Sequence, residues 1–196
     1  AEPRALLLSS VPGVRVETLA PLPAAHRQAG ALLRLLHGLP VEDDDPVSLA
    51  DALAQRLEAW SARAPGIVDA AGVDWVRGRV IEALPLLAGL ARVPCHRDYT
   101  GRNWLWHGNA LYLIDFEHAR PDLAFMDFER LWRGVWREQP PLREAFLEGY
   151  GRPLSGDEEA LLERLAALGA LSTVVWAAQH RDAPFEAEGR RWLQQL

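Results

Sequence analysis

Residues 95–116 of the chain, CHRDYTGRNWLWHGNALYLIDF, contain the pattern that decides the fold. The first part, residues 95–103, has no helical periodicity and many turn-forming residues, which indicates a loop. Two short apolar runs follow at residues 104–106 and 110–114, and the linker His107-Gly108-Asn109 favours a β-hairpin with a glycine at positive φ. The segment therefore predicts an irregular loop that leads directly into a small hairpin.

The sequence on both sides of this segment is mainly helical in pattern. Upstream, an apolar run at residues 5–10 predicts a short strand that ends at Val11-Pro12-Gly13. Apolar residues at helical spacing, with capping residues at some of the starts, then predict helices over about 23–37, 48–63 and 73–90, the last of them broken near Pro85. Downstream, the same reasoning predicts helices over about 122–137, 141–150, 155–180 and 185–196. The predicted class is α+β, mostly helical, with one small hairpin.

Composition bears on the size of the fold and on the chemistry that the chain can perform. The 196 residues suit one domain, or one domain with a small appendage, and 49% hydrophobic residues can supply an ordinary core. A net charge of -6 argues against a nucleic-acid binder, which usually has a basic face. All 21 basic residues are arginine, so no catalytic step within this chain can depend on a lysine.

Cysteine content and hydropathy bear on location. A single cysteine, Cys95, cannot form an internal disulfide, as is common in a reducing cytoplasm. The longest stretch without a charged residue, residues 165–179, is shorter than the roughly 18 apolar residues of a membrane span. We therefore expect a cytoplasmic protein with no membrane segment.

Three side chains in the loop and hairpin suit phosphoryl transfer assisted by Mg²⁺. Asn103 offers a neutral oxygen and Asp115 an anionic one, and Mg²⁺ prefers a few hard oxygen ligands of this kind. Asp98 can accept a hydrogen bond from an incoming hydroxyl and orient it for attack. Two other interpretations remain: the three residues could be ordinary turn formers, or His96 and Asp98 could bind a hydrolytic metal. The second lacks support because no further His/Asp cluster has ligand spacing.

The order His96-Arg97-Asp98-x4-Asn103, followed by Ile114-Asp115-Phe116, resembles the catalytic loop and metal motif of the aminoglycoside phosphotransferase family. This kinase-like group also includes choline and homoserine kinases. The resemblance implies that Asp98 is the catalytic base and that Asn103 and Asp115 are Mg²⁺ ligands. It also implies that Asp127 holds the catalytic loop through backbone N–H groups, and we expect His96 to support that loop structurally.

The resemblance extends to the start of the chain and implies a nucleotide site. Residues 6–13, LLLSSVPG, are similar to the family's last N-lobe strand and hinge, so that the carbonyl of Ser9 and the N–H of Val11 would face the adenine of ATP. The implied domains are residues 1–13, strand and hinge, and residues 14–196, the kinase-like C-terminal lobe. Within that lobe, the catalytic loop is 95–103, the hairpin 104–114 and the metal motif 114–117.

Two functions are compatible with this pattern. The first is a phosphotransferase that moves the γ-phosphoryl of ATP or GTP to a hydroxyl of an aminoglycoside, an amino alcohol or a sugar. The second is a binding or regulatory module that has lost catalysis, because the N-terminal β-lobe is expected to be largely absent. The phosphate-binding lysine of that lobe cannot lie in these 196 residues.

Some side chains leave the nature of the acceptor open. Trp132, Trp136 and Trp176 lie on predicted helices and could line an aromatic pocket for a cationic substrate, although lobe packing accounts better for most of them. Glu129 and Asp182 could meet substrate amines, or could simply be solvated. Arg97 suits a phosphate contact or a salt bridge equally well, and Cys95 is expected to be buried and structural.

Overall fold

The computed structural model describes residues 10–195, in which one short strand and three helices precede four short strands, and five helices follow them. The predicted strand at residues 5–10 therefore lies almost wholly outside the described residues. The strands are β1 (Val14–Arg15), β2 (Arg92–Cys95), β3 (Trp104–His107), β4 (Ala110–Leu113) and β5 (Arg120–Leu123). The helices are α1 (Pro23–His37), α2 (Leu49–Ser61), α3 (Ala70–Ala83), α4 (Glu129–Arg133), α5 (Val135–Glu138), α6 (Pro140–Tyr150), α7 (Gly156–His180) and α8 (Ala183–Gln195).

Helix starts follow local capping chemistry. The hydroxyl of Ser48 accepts a hydrogen bond from the backbone N–H of Asp51, and the carboxylate of Asp69 accepts one from Gly72. Ser155 and Glu158 form a reciprocal capping box at the start of α7. Such caps satisfy N–H groups that have no partner inside the helix, and the predicted starts of α2 and α7 agree with them. Helix α3 begins at Ala70, three residues before the predicted start, because Asp69 caps it. The third helix ends at Ala83 and continues as a 3-10 turn over Leu84–Leu87, close to the break expected at Pro85.

The predicted hairpin is present and belongs to a three-stranded antiparallel sheet. Strand β3 pairs with β4 in the register Trp104↔Leu113 to His107↔Ala110, and Gly108 and Asn109 both adopt positive φ in the turn. Strand β1 adds to the free edge of β3. Trp104 is fully buried under this sheet, so the hairpin rests on the helical core.

A two-stranded antiparallel ribbon, formed by one segment before the hairpin and one after it, was not predicted from the sequence. No strand was predicted at residues 92–95, and residues 122–137 were expected in a helix, but β2 and β5 pair antiparallel, and α4 begins only at Glu129. Pro94 faces Pro121 in this ribbon, a position tolerated because each strand has only one partner. Local sequence favours neither strand, so the pairing depends on long-range contacts.

Helix α7 forms the centre of the molecule. It is long and apolar enough to cross a membrane by length and composition, but 67% of its most apolar 18-residue window is buried within the fold. Leu161, Leu162, Leu165, Leu171 and Val174 on this helix are almost completely buried. Burial on several faces explains the apolar run and makes α7 a core helix of a globular unit.

Helices α1 and α6 cross so closely that glycine is required on both. A Cβ atom at Gly149 would lie 1.8 Å from the carbonyl oxygen of Arg27, and one at Gly30 would lie 2.0 Å from that of Phe146. These atoms are backbone, which cannot move aside as a flexible side chain can. Close crossing brings His37, at the end of α1, towards the candidate site described below.

We therefore expect Gly149→Ala to destabilise the protein by about 1–3 kcal/mol, because the methyl group overpacks a backbone contact. Gly78→Ala is the matched control: Gly78 is an exposed residue of α3, and its added Cβ would meet nothing within 4 Å. That control is expected to stabilise by about 0.5–1 kcal/mol through helix propensity. Urea unfolding of both variants measures the difference, and equal effects would contradict the close crossing.

Candidate active site

The catalytic loop begins where the two-stranded ribbon ends. Strand β2 ends at Cys95, and β5 is followed by a 3-10 turn that carries Asp127. The carboxylate of Asp127 accepts hydrogen bonds from the backbone N–H of His96 (2.9 Å) and of Arg97 (2.6 Å). Asp127 is 1% exposed, so a buried carboxylate holds the start of the loop. This is the geometry expected for Asp127, and its functional role stays a prediction.

Asp127 has a further partner that sequence reasoning missed. His37, the last residue of α1, places Nε2 3.1 Å from the Asp127 carboxylate and Nδ1 3.0 Å from the hydroxyl of Tyr150. A histidine that donates from Nε2 can accept the tyrosine proton at Nδ1, so both ring nitrogens are satisfied. The chain Tyr150–His37–Asp127 thus connects α6 and α1 to the loop. The only sequence signal was the position of His37 at a helix end.

His96 joins the loop to the segment after the hairpin. Its ring is fully buried, with Nε2 2.9 Å from the carbonyl oxygen of Ile114 and Nδ1 accepting from the backbone N–H of Asp98 (3.3 Å). The ring also packs 4.5 Å, centroid to centroid, from that of Phe116. Both ring nitrogens of His96 are therefore engaged inside the protein, and its supporting role for the loop stays a prediction.

Asp98 lies between two arginines at the wall of a cleft. Its carboxylate accepts hydrogen bonds from Nη2 of Arg102 (2.8 and 2.9 Å) and forms an ion pair with Arg130 of α4. Burial alone would raise the pKa of Asp98, but the guanidinium groups of Arg130 and Arg102 outweigh that effect and hold the pKa below its ordinary value. Asp98 is therefore ionised at neutral pH.

Asn103 contacts Asp98 directly. Its side-chain Nδ2 donates to the backbone carbonyl of Asp98 (2.9 Å) and to its carboxylate (2.8 Å). The backbone carbonyl of Asn103 accepts from the N–H of Ile114 (3.1 Å), next to Asp115. Because both contacts of the amide use its nitrogen, its Oδ1 makes no hydrogen bond within residues 10–195. The sequence-predicted pair Asp98 and Asn103 is thus brought together.

Asp115 follows β4 in a left-handed conformation, with φ of 66°, and its side chain is exposed. Within residues 10–195 its carboxylate forms neither an ion pair nor a hydrogen bond. Arg97 has a positive φ as well, 72°. Non-glycine residues in this region cost of order 1 kcal/mol and often lie at functional sites. The backbone hydrogen bond from the N–H of Ile114 to the carbonyl oxygen of Asn103 brings the segment that carries Asp115 next to Asn103.

The expected hinge is only partly visible. Ser9 lies outside the described residues, while Val11 is half-buried in a segment without regular secondary structure. Gly13, two residues later, adopts a φ of 132° and approaches the carbonyl of Trp106 in β3. The adenine-facing role of Ser9 and Val11 therefore stays a prediction.

The cleft beside Asp98 has a volume of about 840 Å³ and is bounded by the loop and by α2, α4, α7 and α8. Arginine, carboxylate and aromatic side chains all line it. Of the three tryptophans singled out in the sequence, Trp176 lines the cleft at 40% exposure, and Trp136 is buried in the core. Trp132 donates to Glu163 (2.8 Å), away from the cleft.

Glu129 differs from its expected role as a solvated or amine-binding carboxylate. It is 4% exposed and forms an ion pair with the equally buried Arg133, whose guanidinium stacks 3.8 Å from the ring of Trp192. A Cβ atom at Gly169 would overlap the Glu129 carboxylate, so this glycine makes the necessary room. Helical position in the sequence could not reveal that α7 covers this side chain. Asp182 lines the cleft, and its contact with a substrate amine stays a prediction.

The family model described as "Phosphotransferase enzyme family" (APH) matches residues 1–168. The chain belongs to this family. The resemblance inferred from the loop and metal motif is therefore confirmed, and with it the kinase-like, mostly helical α+β class. No curated protein sequence matches the chain at a significant level.

Solved structures support the same fold for this member of the phosphotransferase family. The GDP and kanamycin complex of APH(2")-IIIa matches with a TM-score of 0.71 at 18% identity, over 95% of this chain and 68% of that chain. AMP-bound spectinomycin phosphotransferase APH(9)-Ia matches with a TM-score of 0.61 at 15% identity, over 95% and 66%. A choline/ethanolamine kinase family protein from Mesorhizobium loti matches with a TM-score of 0.66 at 21% identity, over 88% and 60%. The chain thus spans about two thirds of these proteins.

Proposed function

We propose that the protein transfers the γ-phosphoryl group of ATP or GTP to a hydroxyl of a small molecule, an aminoglycoside, an amino alcohol or a sugar. The observation that carries this proposal is the loop geometry. An ionised Asp98 lines a large cleft and contacts Asn103, and the carboxylate of Asp127 binds the backbone N–H groups at the start of the same loop. Membership of the phosphotransferase family supports it.

Asp98 is the proposed catalytic base. An ionised carboxylate at the cleft wall can accept a hydrogen bond from the acceptor hydroxyl and orient its oxygen for in-line attack. A carboxylate with a lowered pKa is a weak proton acceptor, so its main contribution is positioning. This agrees with phosphoryl transfer generally, in which positioning and charge neutralisation outweigh proton abstraction. Arg102 and Arg130 fix the carboxylate in place from two elements.

Asn103 and Asp115 are the proposed Mg²⁺ ligands, and the residues fit that role. The amide oxygen of Asn103 has no hydrogen-bond partner in the described part of the chain, while its nitrogen is used to hold the loop. The Asp115 carboxylate is likewise unengaged in that part, and together they offer the hard oxygen atoms that Mg²⁺ prefers. When bound, the metal would neutralise charge on the nucleotide phosphates. His96 and Asp127 hold the two segments that carry these ligands together.

The proposed nucleotide site lies at the hinge, residues 1–13, where the carbonyl of Ser9 and the N–H of Val11 would face the edge of the adenine ring. Residues 14–196 would form the catalytic lobe. Structures similar in fold were solved with GDP and with AMP, which supports nucleotide binding in general. Kanamycin and spectinomycin in similar structures favour a small hydroxylated acceptor. We further propose a cytoplasmic location without nucleic-acid or membrane partners.

A non-catalytic binding module is the second candidate. The observation that favours it is that Arg102 and Arg130 both form ion pairs with the Asp98 carboxylate. An incoming hydroxyl would have to compete with these two side chains for the carboxylate oxygens. Incubation with Mg-ATP or Mg-GTP and a panel of hydroxylated amines and sugars, with mass-spectrometric detection of a phosphorylated product, separates the candidates. Nucleotide binding without product in any reaction would favour the module.

The metal role predicts a specific nucleotide-binding defect. In calorimetry, ADP or GDP should bind in the presence of Mg²⁺, and Asp115→Asn should weaken the Mg²⁺-dependent affinity by about tenfold or more, because a charged ligand is lost. Asparagine also tolerates positive φ, so the backbone at this position is preserved. Asp44→Asn, at an exposed loop residue, should leave the affinity unchanged. An unchanged affinity in Asp115→Asn would exclude Asp115 as a ligand.

A further inference from the structure

Three arginines meet at one aspartate beside the cleft, and two of them, Arg56 and Arg97, line it. The Asp122 carboxylate, on β5, forms ion pairs with Arg56 of α2 (3.0 Å), with Arg97 of the catalytic loop and, at 3.9 Å, with Arg120. The Arg56 and Arg97 side chains are only 20% and 15% exposed, and that of Asp122 is 11% exposed. Arg120 is 58% exposed and screened by water, so the partly buried group of Arg56, Arg97 and Asp122 carries one excess positive charge.

The other acids of the cleft do not pair with Arg56 or Arg97. Within residues 10–195, Asp122 is the only carboxylate at ion-pairing distance from either guanidinium. Asp98 is paired with Arg102 and Arg130, and Glu129 is paired with Arg133. Glu17, Asp182 and Glu188 also line the cleft, and in the described part of the chain none of them forms an ion pair with either arginine. The Arg56–Arg97 side therefore keeps its positive charge.

Electrostatic repulsion within the cluster is substantial. Burial first, and then the guanidinium groups of Arg56 and Arg120, lower the pKa of Arg97 to about 10, against the opposing effect of Asp122. A bound anion between Arg56 and Arg97 would relieve that repulsion. Each guanidinium has five N–H donors, of which few are used here: Arg56 contacts Asp122 and the sulfur of Met126, and Arg97 contacts Asp122.

The cluster is on the acceptor side of the proposed reaction centre. Asp98, which would contact the acceptor hydroxyl, lines the same cleft as Arg56 and Arg97. The proposed metal ligands Asn103 and Asp115, which would face the nucleotide phosphates, do not line it. Trp60 and Leu53 of α2 add an apolar wall beside Arg56. An anion bound there would thus belong to the molecule whose hydroxyl reaches Asp98.

We infer that the acceptor substrate carries an anionic group, a phosphate or a carboxylate, that Arg56 and Arg97 bind while its hydroxyl reaches Asp98. This inference rests on the proposed phosphotransferase function and narrows its substrate class. It favours an anionic or zwitterionic member of the amino alcohol or sugar classes over an aminoglycoside or another purely cationic acceptor. Guanidinium groups bind carboxylate and phosphate through paired N–H donors, which gives both charge and orientation.

Compounds that share one skeleton and differ in charge test the inference. Glycerol 3-phosphate, glycerate, glycerol and 3-amino-1,2-propanediol are titrated into the protein without nucleotide, and binding is measured by calorimetry or ligand-observed NMR. We expect the two anionic compounds to bind at least about tenfold more tightly than the neutral and cationic ones. Failure of the anionic compounds to bind more tightly would overturn the inference.

Variants of the cluster separate anion binding from a structural role. Arg56→Gln should weaken binding of the anionic compounds about tenfold, and Arg56→Lys should weaken it less because the charge is retained. Asp122→Asn should strengthen it, since the competing carboxylate charge is removed while an oxygen remains for the N–H of Leu123. A purely structural cluster would instead lose stability in Asp122→Asn without a gain in affinity. Arg77→Gln, at an exposed ion pair with Glu58, is the control.

Two further results show whether the anion site serves the acceptor or the nucleotide, and whether the inference or the proposed activity fails. If the anion site serves the acceptor, Arg56→Gln should leave Mg-ATP affinity within about twofold of wild type. An equal loss of Mg-ATP affinity would assign the site to the nucleotide and overturn the inference. Anion binding without transfer to any acceptor would refute the proposed activity alone, while transfer only to neutral or cationic acceptors would refute the inference alone.

Discussion

Asp98→Asn is expected to lower kcat for phosphoryl transfer by about 10²–10⁴-fold, the range typical of a side chain positioned against a reacting hydroxyl. Asparagine keeps the shape of the side chain and one acceptor oxygen, so the contact from Nδ2 of Asn103 can persist. The negative charge that attracts and orients the hydroxyl is lost. Initial rates with Mg-ATP and an acceptor that the wild-type protein phosphorylates measure this effect.

Two further measurements distinguish catalysis from collapse of the loop. Nucleotide affinity in Asp98→Asn should change only a few-fold, because the proposed metal ligands are untouched, and circular dichroism should show an unchanged fold. Asp74→Asn, at an exposed aspartate of α3, is the matched control and should retain full activity. Wild-type turnover in Asp98→Asn would show that another group orients the acceptor.

Elements with local signals could be predicted from the sequence. Ser48 with Asp51 marked the start of α2, Gly108 marked the hairpin turn, and the uncharged run 165–179 marked the buried part of α7. Each of these features depends on residues that are close in sequence or lie on one face of one helix, so the sequence alone specifies it. The grouping of Asp98 with Asn103 belongs here, since the two are five residues apart in one loop.

Features built from distant segments could not be predicted in this way. Strand β5 contains no β-branched residue and forms because residues 92–95 lie beside it. His37 reaches Asp127 across 90 residues, Arg130 reaches Asp98 across 32, and Arg56 reaches Asp122 across 66. These contacts depend on how helices cross and where side chains point, which residue spacing does not specify. The charge of the acceptor site is therefore visible only in the folded chain.

Asp127→Ala should produce the largest loss of stability, about 3 kcal/mol or more. The carboxylate serves the backbone N–H groups of His96 and Arg97 and the ring of His37, all of them buried or partly buried. Leaving a buried donor without a partner costs about 1–3 kcal/mol for each group. Chemical unfolding measures the loss, and kcat should fall too, because the loop that carries Asp98 would no longer have a fixed start.

Two comparisons make this expectation specific to the buried site. Asp69→Ala removes a carboxylate that also accepts a backbone N–H, from Gly72, but at an exposed helix start, so it should cost only about 1 kcal/mol. Asp127→Asn keeps one acceptor oxygen and should fall between the two. The difference between Asp127 and Asp69 then measures burial and the number of donors served, since the bond type is the same. Equal losses at both positions would mean that the loop is held by its other contacts, chiefly those of His96 to Ile114 and of Asn103 to Asp98.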